Sequence, residues 1–163
     1  MLARCAHPQI GTSARNLPEV DSGPCYSAAR MVAGDTHAIF VAKAAESLAS
    51  AEADFSAGRY NSCANRCYYA CFQAAIAALI RVGVRPRGRD PVWEHEYVQA
   101  EFGTLIRRRK AYPTAMAGSL SDTRDVREVA DYADRPVSAS GARKVLRLAR
   151  DFVDAVIEKE NRS

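Results

Sequence analysis

Residues 58–82 decide the fold, and they read GRYNSCANRCYYACFQAAIAALIRV. Gly58 suits the position just after a preceding helix, and Asn61 or Ser62 can cap the helix that follows. Apolar side chains then cover most of the helical circumference, at Cys67, Tyr68, Cys71, Phe72, Ala75, Ile76, Leu79 and Ile80. A helix that is apolar nearly all round is usually buried. We therefore predict a helix over about residues 61–82 at the centre of a helical bundle.

Further helices are predicted on both sides of this central one. Phe40, Leu48 and Phe55 recur at helical spacing, which indicates a helix over about residues 36–57 that forms an antiparallel hairpin with the central one. Three more are predicted over about residues 92–110, 113–133 with a possible break at Gly118, and 138–160, the last capped by Ser138 or Ser140. Nothing alternates convincingly like a strand. The expected fold class is all-α, an up-down antiparallel bundle of four to five helices.

Composition predicts one domain. The chain has 163 residues, of which 48% are apolar and 26% charged, enough for one core. Residues 1–34 are rich in Pro and Gly, so we expect a flexible N-terminal tail, or a start assigned too far upstream with Met31 as the true first residue. Residues 35–163 are expected to form the helical domain.

The pattern of charge and apolar residues indicates the compartment and limits the partners. There is no run of about 18 apolar residues and no signal-peptide core, so we expect a cytoplasmic protein without a membrane span. A net charge of +4 is too small to prove a nucleic-acid partner, although it leaves room for local basic patches.

Three cysteines, Cys63, Cys67 and Cys71, lie four residues apart on one helical stripe. This is not a disulfide framework, and structural zinc sites usually have four ligands with closer pairs. Core packing is the favoured interpretation, and neither a metal nor a cofactor is expected.

A polar stripe interrupts the central helix, where Ser62, Arg66, Tyr69 and Gln73 share one face. A guanidinium is rarely buried without a partner. The stripe therefore either meets solvent or a structural salt bridge, or it contacts a ligand or another subunit. Both alternatives stay open at this point.

A second polar face is predicted on the helix over residues 113–133. Arg124, Arg127 and Asp131 lie on it, and Tyr132 lies beside it. Arg127 and Asp131 could form only a surface ion pair, but Arg preceding Asp is the less favourable order in an isolated helix. A functional role for this face remains an equal alternative.

These segments resemble the signatures of a known family. Gly58-x-Tyr60 precedes Arg66-x-Tyr68-Tyr69-Ala70-x-Phe72, and His95-x-x-Val98-x-x-x-Phe102 and Arg127-x-x-Ala130-Asp131-Tyr132 follow downstream. Together they resemble HEPN-domain proteins, in particular an uncharacterised prokaryotic branch, over roughly residues 38–160. The resemblance implies a HEPN-like bundle, a homodimer with the Arg127 motif near its cleft, and a minimal nucleotidyltransferase as partner in a toxin-antitoxin or defence system.

Many HEPN proteins are metal-independent ribonucleases that use an Arg followed four to six residues later by His, and this sequence departs from that pattern. No histidine follows Arg127, and Tyr132 stands in that window. Tyrosine, with a pKa of about 10, is a poor acid or base at neutral pH. His95 could replace the missing group if the fold brought it near Arg127, but it lies on an apolar helical face, which favours a core histidine.

The predicted function follows from the resemblance and from this departure. We expect a HEPN subunit that binds nucleotide or RNA phosphate at a dimer cleft through Arg66, Tyr69 and Arg127. The alternatives are a metal-independent endoribonuclease toxin, with Arg127, Asp131 and Tyr132 as candidate catalytic residues, and a non-catalytic helical adaptor.

Overall fold

The computed structural model describes residues 33–87 and 92–161, which form five α-helices and one short 3-10 helix. In chain order these are α1 (Ala33–Ser56), α2 (Tyr60–Arg81), α3 (His95–Arg107), the 3-10 helix (Thr114–Gly118), α4 (Ser119–Tyr132) and α5 (Ala139–Asn161). Within these described ranges the only β-type pairing is an isolated bridge between Arg87 and Val92. The predicted all-α class is confirmed.

Helix α2 is the central helix, as its apolar circumference predicts. It packs against α1, α3, α4 and α5. Small side chains allow this, because alanines and cysteines let neighbouring helices approach closely, and every residue from Ala74 to Ile80 is buried. Cys63, Cys67 and Cys71 are fully buried free thiols, in agreement with the core-packing interpretation.

The turn between α1 and α2 makes the two helices antiparallel, because only three residues connect them. Gly58 adopts a left-handed φ of 73° there, and its N–H donates to Phe55 O at 3.0 Å. The predicted cap by Asn61 or Ser62 is wrong, since α2 starts at Tyr60 and Asn61 lies in its first turn. The Asn61 Oδ1 instead accepts a 2.8 Å hydrogen bond from the Val137 N–H, tying α2 to the segment before α5.

The later helices differ from prediction mainly at their ends. The single helix predicted over 113–133 is divided at Gly118 into the 3-10 helix and α4, where a break was anticipated. α3 is shorter than the predicted 92–110. Ser138 caps α5 as predicted, because its Oγ accepts a 3.1 Å hydrogen bond from the Gly141 N–H.

The N-terminal boundary also shifts slightly. Residues 33 and 34, assigned to the tail, begin α1. The remainder of the predicted tail, residues 1–32, and positions 88–91 of the predicted loop lie outside the described residues. None of the helices in the described ranges is long and apolar enough to cross a membrane.

Candidate functional site

Helices α2 and α4 bring their predicted polar faces together. Side chains three or four residues apart share a helical face, so α2 contributes Asn65, Arg66, Tyr68 and Tyr69, and α4 contributes Arg127 and Asp131. We refer to these six residues as the α2–α4 site. Four of them were predicted as site residues, and the structure adds Asn65 and Tyr68.

The Asp131 carboxylate accepts hydrogen bonds from two other residues of the α2–α4 site. The Arg127 Nε donates to Asp131 Oδ2 at 3.0 Å, which is the ion pair considered from the sequence. The Asn65 Nδ2 donates to Oδ1 and Oδ2 of the same carboxylate at 3.0 and 3.2 Å. An isolated surface ion pair contributes at most about 1 kcal/mol, but this carboxylate also joins two helices. Its geometry fixes the direction of the Arg127 side chain.

Two tyrosine rings also lie close to the Arg127 guanidinium. Its Cζ lies 5.3 Å from the ring centroid of Tyr68 and 5.5 Å from that of Tyr69, within the range of cation–π attraction. The Arg127 side chain is only 20% exposed. Within the described part of the chain, its two terminal nitrogens form no hydrogen bond, so their N–H groups are available to an incoming acceptor.

Arg66 and Asp131 border one small pocket. The pocket has a volume of about 240 Å³ and is lined by Asn61, Ser62, Asn65, Arg66 and Asp131. Arg66 is exposed and has no ion-pair or hydrogen-bond partner among the described residues. Asp131 is therefore bonded to Arg127 and also lines a pocket with Arg66.

Tyr132 is not brought into this arrangement. It is the last residue of α4, its side chain is 78% exposed, and it makes no ring contact or hydrogen bond to any other described residue. Its predicted catalytic role remains a prediction without a structural contact to support it.

His95 is a neighbour of the site that sequence periodicity assigned to the core. The Tyr68 hydroxyl and the His95 Nδ1 are 2.5 Å apart in a hydrogen bond, and the Phe72 and His95 ring centroids are separated by 4.5 Å. His95 is thus half-buried and its Nδ1 is hydrogen-bonded, as expected of a core histidine. It is also joined through Tyr68 to Arg127.

The surroundings of His95 favour its neutral form. Burial lowers the pKa of His95, and the cations Arg127 and Arg124 lower it further, while Glu96 opposes them. Burial also raises the pKa of Tyr68, with the two arginines acting in the opposite direction. At neutral pH the pair is therefore a neutral imidazole hydrogen-bonded to an un-ionised phenol.

This lowered pKa predicts a pH-dependent stability. Protonation of His95 favours the unfolded chain, so its contribution is complete above the usual histidine pKa of 6.5 and is lost as the pH falls below it. We expect the melting temperature to fall between about pH 7.5 and about pH 5.5. In His95→Gln, which can still bond to Tyr68 but does not titrate, the fall should be smaller. An equal fall in both proteins would show that His95 is not responsible.

A family model for the HEPN domain matches residues 38–160. A search of curated proteins gives no match.

Proposed function

The chain belongs to the HEPN-domain family, and from this membership we propose that it binds phosphate groups of nucleotide or RNA at the α2–α4 site. Membership supports a nucleotide- or RNA-related function, or a toxin-antitoxin role, in general. One observation supports the specific proposal. Asp131 and two tyrosine rings hold Arg127 in place, while its terminal N–H groups remain without a hydrogen-bond partner among the described residues.

This arrangement suits a phosphate for two reasons. The planar guanidinium presents parallel donors that match two phosphate oxygens, and a guanidinium already fixed in position loses little entropy on binding. Arg66 adds a second, mobile cation, so that Arg66, Arg127 and Asp131 together carry one net positive charge. We propose that the half-buried ring of Tyr69 keeps the Arg127 guanidinium in its orientation and lies next to the bound ligand.

The partners belong to the same proposal. HEPN domains commonly dimerise. We propose that this chain forms a homodimer with α4 near its cleft, and that it acts in the cytoplasm with a minimal nucleotidyltransferase in a toxin-antitoxin or defence system. A purely structural helical adaptor would need neither an open Arg127 nor an unpaired Arg66.

Arg66→Gln tests the proposal without disturbing the core. Removing this exposed cation should weaken binding of a labelled single-stranded RNA by about threefold to tenfold, which corresponds to about 0.7 to 1.4 kcal/mol. Fluorescence anisotropy with the full-length chain measures the change.

Arg150→Gln is the matched control, because it removes the same charge from a surface pair with Glu52 between α5 and α1. It should leave RNA affinity nearly unchanged. If both variants lost affinity equally, binding would depend on net charge rather than on the α2–α4 site. Absence of saturable binding by the unmodified chain would favour the adaptor.

A second candidate function, a metal-independent endoribonuclease, is favoured by His95. The histidine that the family has after Arg127 is missing here. The neutral imidazole of His95 is instead hydrogen-bonded to Tyr68, whose ring contacts Arg127. If Tyr68 accepts from Nδ1–H, the free Nε2 can accept a proton from a ribose 2′-hydroxyl.

Incubation of the protein with RNA in the presence of a chelator separates the two candidates. RNA cleavage that disappears in both His95→Ala and Arg127→Ala would establish ribonuclease activity and contradict a function limited to binding. Saturable RNA binding without cleavage would support the first proposal.

A further inference from the structure

A second polar pocket lies between α5, the 3-10 helix and the start of α4. It has a volume of about 300 Å³, and its main lining residues are Met116, Ser119, Lys144, Arg147, Asp151 and Phe152. None of these residues belongs to the α2–α4 site. We refer to it as the α5 pocket.

One wall of the α5 pocket is apolar. Phe152 is 1% exposed and Met116 is 7% exposed, so both are fixed by the core behind them. Leu148 extends this wall along α5. A volume of about 300 Å³ is at the lower end of the range for small-molecule sites, and such sites usually combine an apolar wall with a few polar groups.

The polar groups of the α5 pocket lack partners of their own. Ser119 is mostly buried, at 6% exposed, and its hydroxyl makes no hydrogen bond to any described residue. This hydroxyl can therefore donate to, or accept from, a ligand in the pocket. Lys144 and Arg147 also have no ion-pair or hydrogen-bond partner within residues 33–87 and 92–161.

The charges of the α5 pocket restrict the ligand. Lys144 and Arg147 with Asp151 leave one net positive charge, which favours an anion. A bare inorganic phosphate would leave the apolar wall unused and would face the Asp151 carboxylate. A ligand with a phosphate at one end and hydroxyl or amino donors on an organic body satisfies all of these groups.

We propose that the α5 pocket binds a small phosphate monoester of mononucleotide size. Arg147 pairs with the phosphate through its planar donors, Lys144 adds a point charge, and the Ser119 hydroxyl donates to a phosphate oxygen. Met116, Leu148 and Phe152 cover the organic body, and Asp151 accepts hydrogen bonds from its hydroxyl or amino groups. This site is independent of RNA binding at the α2–α4 site.

Calorimetric titration of the full-length chain with adenosine 5′-monophosphate tests this proposal. Two proteins are titrated, the unmodified chain and the double variant Arg66→Gln/Arg127→Gln, in which the α2–α4 site is disabled. We expect saturable binding in both. Adding Arg147→Gln should weaken it at least about tenfold, as expected for a charged hydrogen bond. Ser119→Ala, a small change that fits the same space, should weaken it about threefold to tenfold.

Arg150→Gln, on the same helix but paired with Glu52, is the control and should not change the affinity. Adenosine and inorganic phosphate should each bind at least about tenfold more weakly than the monophosphate, since each lacks half of the recognised groups. The proposal is overturned if the monophosphate does not bind saturably, if Arg147→Gln binds as well as Arg150→Gln, or if inorganic phosphate binds equally well. If binding disappears with Arg66→Gln/Arg127→Gln alone, the ligand occupies the α2–α4 site instead.

Discussion

Phe102→Ala should lower the free energy of unfolding by about 3–5 kcal/mol, the usual cost of truncating a buried phenylalanine. Phe102 lies on α3, is 1% exposed, and its ring centroid is 5.1 Å from that of Phe152 on α5 and 5.3 Å from that of Tyr112. The ring therefore joins α3 to α5 in the core. Since domains of this size are stable by about 5–15 kcal/mol, this single truncation should remove a large part of the stability of the domain. Urea denaturation followed by circular dichroism measures the change.

Ile39→Ala is a suitable comparison for this core truncation. Ile39 lies on α1 and is 38% exposed, so less apolar surface is lost and no cavity forms. We expect a loss below about 1 kcal/mol. Equal losses in the two variants would mean that Phe102 does not occupy the centre of the core.

Arg127→Gln should weaken binding of single-stranded RNA by about tenfold to a hundredfold, a larger effect than Arg66→Gln. Hydrogen bonds to charged groups contribute about 1.5–3 kcal/mol, and Arg127 is fixed in position before the ligand arrives. The variant also leaves Asp131 with Asn65 as its only hydrogen-bond donor in the described structure. Anisotropy titration gives the affinity, and thermal melting verifies that the bundle is still folded.

Arg127→Lys separates the geometry of the guanidinium from its charge. Lysine keeps the positive charge but loses the planar donors and their fit over the Tyr68 and Tyr69 rings. We expect an affinity between those of the unmodified chain and Arg127→Gln. Full affinity in Arg127→Lys would mean that Arg127 acts only as a point charge.

The sequence predicted the bundle well because its dominant signals are local. The apolar circumference of α2, the left-handed turn at Gly58 and the break at Gly118 each act within a few residues, and all three match the structure. Helix ends were less accurate. Asn61 looks like a cap by residue type, but its partner is Val137, 76 residues away.

The candidate site could be predicted only in part for the same reason. Arg66, Tyr69, Arg127 and Asp131 were found because each pair shares a helical face. Asn65 and Tyr68 were missed, since their hydrogen bonds go to Asp131 and to His95 on other helices, 66 and 27 residues away in sequence. Helical periodicity correctly described His95 as facing apolar neighbours, but it contains no information on which polar group of another helix would face it.

The salt dependence of RNA affinity tests the central claim, phosphate binding by Arg66 and Arg127, most directly. Each phosphate contact to a single strand changes the slope of log affinity against log salt by about 0.7. In the double variant Arg66→Gln/Arg127→Gln the slope should therefore become shallower by about 1.4, while Arg150→Gln should keep the slope of the unmodified chain. An unchanged slope in the double variant would contradict the claim that these two arginines bind phosphate.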